Sequence, residues 1–214
     1  MDEKERRSAF LSALTTEHFV LQTAASATVS ESAARASIYI LSLSSTLVAM
    51  GFASQSREAF GPFIASVLPA VFLLGLFTVV RLVDVTLEHQ RFLTGIAHIR
   101  GYYRTLTPEA AEYFAPERGR WPEAPSSPAL QLGATLGLLT TTATMVAFIN
   151  NIVAGVGVTL LVRWLLGPLR TFLAVFIGVV TAAILVGVFY AYQRWRFGLA
   201  QRTAPPPDQT PATP

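Results

Sequence analysis

The sequence contains no cysteine, a single lysine and few charged residues of any kind. The absence of cysteine excludes disulfide bonds, thiolate metal ligands and cysteine nucleophiles. Charged residues make up 14% of the chain, whereas an ordinary soluble domain has about 25%. With 52% hydrophobic residues and a mean hydropathy of +0.47, the composition indicates a membrane protein. The net charge of only +3 gives no reason to expect a nucleic-acid partner.

Motifs for catalysis are also absent from the sequence. No serine stands in a glycine-framed elbow, and no phosphate-binding loop occurs. Gly155-Val156-Gly157 lies in an apolar stretch without the strand and helix that such loops require. We therefore predict a protein that is not an enzyme and that binds no cofactor.

The hydrophobic residues are concentrated in long runs without charge. Residues 36–54 contain no charged residue over 19 positions, and about 20 are needed to cross the hydrocarbon core of a bilayer. The predicted spans are 36–54, 63–80, 129–149 and 171–193. Residues 152–168 are too short to span comfortably with Arg163 inside them. We leave open whether they are interfacial, re-entrant or part of the third span.

The segments before the first span and after the second have the periodicity of amphipathic helices. Apolar residues recur every three or four positions over 8–34 and again over 81–106. We predict an all-α polytopic membrane protein with four transmembrane helices, in which the first two spans extend as cytoplasmic helices. The predicted divisions are 1–35, an amphipathic helix; 36–80, a transmembrane hairpin; 81–128, helices and a proline-rich linker; 129–193, the last two spans; and 194–214, a disordered tail.

The basic residues predict the orientation. Thirteen of the 16 lysines and arginines fall on one side when both termini and residues 81–128 are placed together. Because cytoplasmic loops carry an excess of Lys and Arg, this side is predicted to be cytoplasmic. The N-terminus lacks the pattern of a cleaved signal peptide, so we expect the cytoplasmic membrane as the location.

Small and hydroxyl residues recur in two of the predicted spans. In membrane helices they mark close packing between helices, and they can also line a permeation path. Ser37 and Ser44 are seven residues apart and therefore share a face. The candidate pore or packing face comprises Ser37, Ser44, Thr140, Thr141 and Thr144. The candidate helix-packing residues are Ser42, Thr46, Ala49, Gly133 and Gly137, and they predict a homo-oligomer.

Charged residues occur at the predicted cytoplasmic edge of the membrane. Glu31 and Arg35 form an i, i+4 pair at the end of the first extension, and Arg81 and Asp84 begin the second. We expect these charges to lie at headgroup depth. The two extensions are expected to pack on each other, within one chain or between copies, and residues 81–114 are a candidate surface for a cytoplasmic protein partner.

Two Glu-His pairs, at Glu17-His18 and Glu88-His89, have similar neighbours. Imidazole and carboxylate groups bind several transition metals. Adjacent residues point about 100° apart on a helix, however, and metal-binding helices use i, i+3 or i, i+4 spacing. We favour two histidines on the apolar faces and predict no metal site.

Two stretches of the chain resemble a known group of sequences: EHFVLQTAASATVSESAARASIYILSLSSTLVAMGF, and RLVDVTLEHQRF through IAHIRGYYRTLTPEAAEYF. They are similar to uncharacterised four-span integral membrane proteins of high-GC Gram-positive bacteria. The resemblance implies a bacterial membrane protein with four spans, and it implies no activity. From the residues we expect a homo-oligomeric assembly that couples a cytoplasmic helical bundle to the bilayer. The alternative is a weakly selective ion channel with a hydroxyl-lined pore between first spans.

Overall fold

The structure is a computed structural model that describes residues 2–114, 141–167 and 170–203. These residues are helical apart from short turns, and no β-strand occurs among them. The predicted all-α fold is therefore confirmed. The helices are α1 (Glu3–Ala53), α2 (Arg57–Arg104), α3 (Pro108–Tyr113), α4 (Thr142–Leu166) and α5 (Thr171–Thr203).

Helix α1 has a well-defined start and no interruption over 51 residues. The Asp2 side chain accepts from the Glu3 backbone N–H at 2.6 Å, and the Glu5 side chain accepts from the Asp2 N–H at 3.1 Å. This capping box satisfies N–H groups that the first turn leaves without partners. At about 1.5 Å per residue the helix is about 75 Å long, more than twice the thickness of a hydrocarbon core of about 30 Å.

Helix α2 follows after a short turn and runs for 48 residues. The Ser56 hydroxyl accepts from the Ala59 N–H and caps its start. Pro62 and Pro69 lie inside the helix without ending it. The predicted continuity between the second apolar run and the amphipathic segment is confirmed, since one helix contains both.

The chain divides into two compact units, Met1–Val153 and Ala154–Pro214. In the first unit, α1 and α2 pack along each other as an antiparallel hairpin. Its core includes Tyr39, Leu82, Val83, Ile96 and Val146, each with at most 1% of its surface exposed. The second unit contains the last turns of α4 and all of α5.

Four of the described helices are long and apolar enough to cross a membrane: α1, α2, α4 and α5. The third of these helices, α4, differs from the predicted span 129–149. The predicted end at Asn150-Asn151 is wrong, because α4 continues through both residues to Leu166. Their amides are buried, and that of Asn150 binds groups on other helices, so it does not cap this one. Residues 152–166 belong to the same helix as 142–151.

Several predictions fall on residues outside those that the structure describes. These are the proline-rich linker at 115–128, the first part of the predicted third span with Gly133, Gly137 and Thr140, and the end of the tail from residue 204. They stay predictions. The predicted disorder is wrong for residues 194–203, because α5 continues through them as a helix to Thr203.

Candidate functional site

The polar residues of the α1–α2 hairpin are concentrated around Arg81. Its Nε and Nη2 atoms donate to the two carboxylate oxygens of Glu31 at 2.9 and 3.1 Å, and its Nη1 atom donates to Glu88 at 3.0 Å. Arg35 Nε also donates to Glu31, at 2.7 Å. We call Glu31, Arg35, Arg81 and Glu88 the hairpin charge network. The bidentate Arg81–Glu31 contact favours one relative orientation of the two helices.

The charges of this network reinforce one another. Arg81 first, and then Arg35, holds the pKa of Glu31 at about 2, below its ordinary value of 4.5. Glu31 and then Glu88 raise the pKa of Arg81 above its usual range. All four side chains keep 32–44% of their surface exposed, so solvent screens the pairs, and their effect on stability is modest.

The network joins residues that the sequence had placed on separate helices. The Glu31–Arg35 pair is confirmed, and Glu31 also binds Arg81 across the hairpin. Asp84 lies one turn after Arg81 on α2. The cross-helix contact could have been inferred, because both residues lie within about one and a half helical turns of an apolar run. Both were expected near the edge of the membrane, and no bond between them was predicted.

The contacts continue away from the apolar runs, towards the start of α1. His89 Nδ1 lies 2.8 Å from Thr28 Oγ1 and 3.1 Å from the Ala25 carbonyl oxygen. Thr28 Oγ1 donates to that same carbonyl at 2.7 Å, so the ring nitrogen donates to the threonine oxygen or to the carbonyl. Farther along, the rings of Phe10 and Tyr102 meet edge to face with centroids 5.3 Å apart. The hairpin is therefore joined by side chains along most of its length.

The two Glu-His pairs do not converge. His89 contacts the Thr28 hydroxyl on α1, whereas His18 has a buried Nδ1 atom without a hydrogen-bond partner. Within the described ranges, no three His, Asp or Glu residues are close enough together to hold a metal ion.

A second polar cluster lies among the apolar segments of the first unit. The Tyr39 hydroxyl donates to Asn150 Oδ1 at 3.3 Å, and Asn150 Nδ2 donates to the Phe72 carbonyl at 3.2 Å. Gly75 makes room for this cluster, because a Cβ atom there would collide with the Asn150 side chain and lie 2.8 Å from Tyr39 Cε2. Asn150 thus connects α4 with α1 and α2. Sequence reasoning missed it, since a neighbouring asparagine pair more often indicates a helix end.

The small and hydroxyl residues that were predicted to pack or to line a pore divide into three groups among the described residues. Ser37 and Ser44 are exposed on the surface of α1. Ser42, Thr46 and Ala49 are half-buried, and the Ser42 hydroxyl donates to the Ile38 carbonyl at 2.8 Å. Thr141 accepts from the Thr144 N–H at 3.2 Å, which caps the start of α4. The three groups therefore have different surroundings, although the sequence placed them in two sets.

In the second unit, α4 and α5 approach through glycine. A Cβ atom on Gly178 would lie 2.5 Å from the Gly155 carbonyl oxygen and would collide with Thr159. A Cβ atom on Gly155 would lie 2.7 Å from the Gly178 carbonyl oxygen. We call this contact the glycine crossing. Its signal in the sequence is a small residue four positions after each glycine, Thr159 and Ala182, as in membrane helices that pack closely.

Comparisons of the chain with protein-family models, with curated proteins and with solved structures gave no match. The resemblance to four-span membrane proteins of high-GC Gram-positive bacteria stays a prediction. Any functional conclusion must therefore come from the residues and their arrangement.

Proposed function

We propose that this chain is a non-enzymatic integral protein of the cytoplasmic membrane that works as a homo-oligomer. In this proposal, the outer parts of α1 and α2 form a cytoplasmic helical bundle and transmit its movements to the spans. The observation that carries the proposal is the continuity of the two long helices together with the charge network that joins them. Each helix contains both an apolar run and an amphipathic segment, with no break between them.

The charge network supports this coupling role by its position. Arg81 directly follows the predicted span 63–80, and Glu31 lies five residues before the predicted span 36–54. A bidentate bond at that point resists sliding of one helix along the other. Movement at the cytoplasmic end would then reach the bilayer as a movement of the whole hairpin.

The arginine asymmetry supports cytoplasmic termini, and single cysteines test it because the natural chain has none. A cysteine at Ser8 should be protected from an impermeant thiol reagent in intact bacterial cells, whereas a cysteine at Ser56 should be labelled. Both positions are exposed on the protein surface, so their accessibility is matched. Labelling of the Ser8 position with protection of the Ser56 position would reverse the proposed topology.

The oligomeric state is tested by mass photometry of the purified protein in mild detergent, with crosslinking in native membranes as the second measurement. We expect species of at least two copies by both methods. Monomers alone, at every protein concentration, would contradict the homo-oligomer.

A second candidate function is favoured by the exposure of Ser37 and Ser44. Hydroxyl groups on the outside of an apolar helix are available to line a path between copies of α1. No charged residue lies in 36–54, so such a path would conduct with weak selectivity. Ion flux into liposomes that contain the purified protein tests the idea. Ser44→Leu should reduce the flux and the neighbouring Ser45→Leu should not, whereas the absence of flux would leave the non-conducting assembly.

A further inference from the structure

The side of α1 that faces away from α2 has a seven-residue repeat. Its members are small or carry a hydroxyl group, and all are exposed: Thr16, Thr23, Ser30, Ser37, Ser44 and Gly51. We call these six residues the heptad line. Thr23, Ser30 and Ser37 are each two residues away from a buried residue that faces α2, namely Ala25, Thr28 and Tyr39. Two residues correspond to a rotation of about 200° around the helix, so the line lies on the opposite side.

The heptad line is bordered by apolar residues and by no charge. The residues four positions after the first five members are exposed Val20, Ala27, Ala34, Leu41 and Val48, and exposed Gln55 follows Gly51 at the same spacing. The residues three positions after its members are also uncharged, and among them Phe19 has 62% of its surface exposed. The face therefore combines narrow side chains at the centre with apolar ones at the edges, the pattern of a helix surface that meets another helix closely.

Lipid cannot cover this whole face. From Thr16 to Gly51 the line is about 53 Å long, whereas the hydrocarbon core is about 30 Å thick. At least about 20 Å of the uncharged face must therefore lie outside the core, wherever the helix is placed. Exposed Phe19 and Val20 would be in contact with water there, an arrangement that indicates a protein partner.

The repeat identifies what kind of partner fits. A hydrophobic pattern that keeps a strict seven-residue period specifies a left-handed supercoil with another helix of the same period. Copies of one membrane protein have the same orientation, so their α1 helices are parallel, and a two-fold axis places each line residue opposite itself. A strip of about 53 Å by 11 Å covers about 600 Å² on each copy, or about 1,200 Å² in total, above the roughly 1,000 Å² of a specific interface.

We propose that the heptad line is the contact between the α1 helices of two copies, and that this contact extends without a break from the apolar run into the amphipathic segment. The inference rests on the proposed homo-oligomer and names its interface. The sequence-based expectation gave Ser37 and Ser44 as a pore or packing face, and it assigned helix packing to Ser42, Thr46, Ala49, Gly133 and Gly137. Of these packing residues, Ser42, Thr46 and Ala49 are half-buried within one chain.

Cysteine scanning in native membranes tests the contact directly. Single cysteines at Thr16, Thr23 and Ser44 are compared with cysteines at the exposed neighbours Thr15, Gln22 and Ser45, each about 100° away on the helix. Disulfide formation requires Cα atoms within about 7 Å, so we expect dimer formation on mild oxidation to be at least about tenfold faster at the line positions. Separation on a non-reducing gel measures the rate.

The outcomes separate this inference from the proposed function. An oligomer by mass photometry with equal rates at line and neighbour positions would overturn the heptad interface and leave the homo-oligomer standing. Fast crosslinking at Ser44 without crosslinking at Thr16 and Thr23 would also overturn it, since the contact would be confined to the apolar run. A monomer by both methods would remove both proposals.

A charge at the centre of the line provides a second measurement that does not need cysteine. Thr23→Glu should shift the detergent-solubilised protein towards monomer by at least about tenfold in dissociation constant, because it places two like charges opposite each other. Gln22→Glu on the neighbouring exposed position should leave the constant unchanged. Equal effects of the two substitutions would contradict the inference.

Discussion

The α1–α2 hairpin and the glycine crossing show two different ways to join a pair of long helices. In the hairpin, helices meet through side chains, such as Arg81 with Glu31 and His89 with Thr28. At the crossing, the backbones of Gly155 and Gly178 approach each other directly, and the Thr159 side chain also packs against Gly178. Side-chain contacts can adjust one at a time, whereas a backbone contact leaves no room for adjustment.

Glycine therefore has two separate uses among the residues that the structure describes. Gly75 and Gly95 in α2 admit side chains from other helices, those of Asn150 and Leu21. Gly155 and Gly178 admit a backbone. A glycine that admits a flexible side chain can be replaced by alanine, because that side chain can move away. A glycine that admits a backbone cannot be replaced without moving the helices apart.

The largest expected effect is that of Gly178→Ala. Its Cβ atom would meet the Gly155 carbonyl oxygen and Thr159, so α4 and α5 must separate. We expect the free energy of unfolding to fall by about 2 kcal/mol or more, measured as a lower Tm in detergent. Gly187→Ala is the control on the same helix, because nothing lies within 4 Å of its new Cβ atom. Equal Tm values for the two variants would show that the backbones do not touch.

A smaller effect is expected from removal of one charge in the hairpin network. Glu31→Gln takes from Arg81 its bidentate partner and leaves Glu88 in place. Because these side chains are about one-third exposed and solvent screens their charges, the decrease in Tm should be small and should shrink at high salt. Glu17→Gln, on an exposed carboxylate of the same helix, should leave the Tm unchanged. A salt-independent loss would show that the pair is not electrostatic.

The same carboxylate predicts a pH dependence. Since the pKa of Glu31 is lowered from 4.5 to about 2 in the folded protein, its contribution to stability is fully present above pH 4.5. The contribution falls as the pH decreases from 4.5 and is lost once the pH passes below about 2. The difference in Tm between the natural protein and Glu31→Gln should therefore be constant at neutral pH and decrease in acid. A difference that grows in acid would contradict the assignment.

The smallest effect is expected from Gly95→Ala. The new Cβ atom would lie 3.0 Å from the end of the Leu21 side chain, which can rotate away. Alanine is also favoured over glycine in a helix by about 1 kcal/mol, so the two effects should nearly cancel. A Tm within a few degrees of the natural protein is expected. A loss as large as that of Gly178→Ala would remove the distinction between the two uses of glycine.

The helices themselves could be predicted from sequence, because hydropathy and spacing are local properties. Uncharged runs located α1, α2 and α5, and a three-to-four period identified the outer parts of the hairpin. The end of the third predicted span was wrong, since Asn150 resembles a helix terminator until its partners Tyr39 and Phe72 are known. Such partners lie far away in sequence, and no local pattern contains them.

The candidate site was predicted only in part, because some of its contacts join residues that lie far apart in the sequence. The Glu31–Arg35 pair is an i, i+4 contact and was found from spacing alone. The Arg81–Glu31 bond requires the register of the hairpin, which depends on the turn between α1 and α2. The glycine crossing was missed because Gly155 was considered only as part of a phosphate loop, although its spacing to Thr159 was visible.

The short turn between α1 and α2 determines how the hairpin can move. Only residues 54–56 separate the two helices, and the charge network joins them again near the middle of their length. In the proposed arrangement the pair would act as a lever that pivots at this turn. A change in tilt of about 10° about the turn, well within the range of membrane helices, would move the far end of a rod of about 75 Å by about 13 Å. Spin labels at Ser8 in two copies would report such a movement as a change in the distance between the labels. A constant distance would show that the hairpin does not tilt.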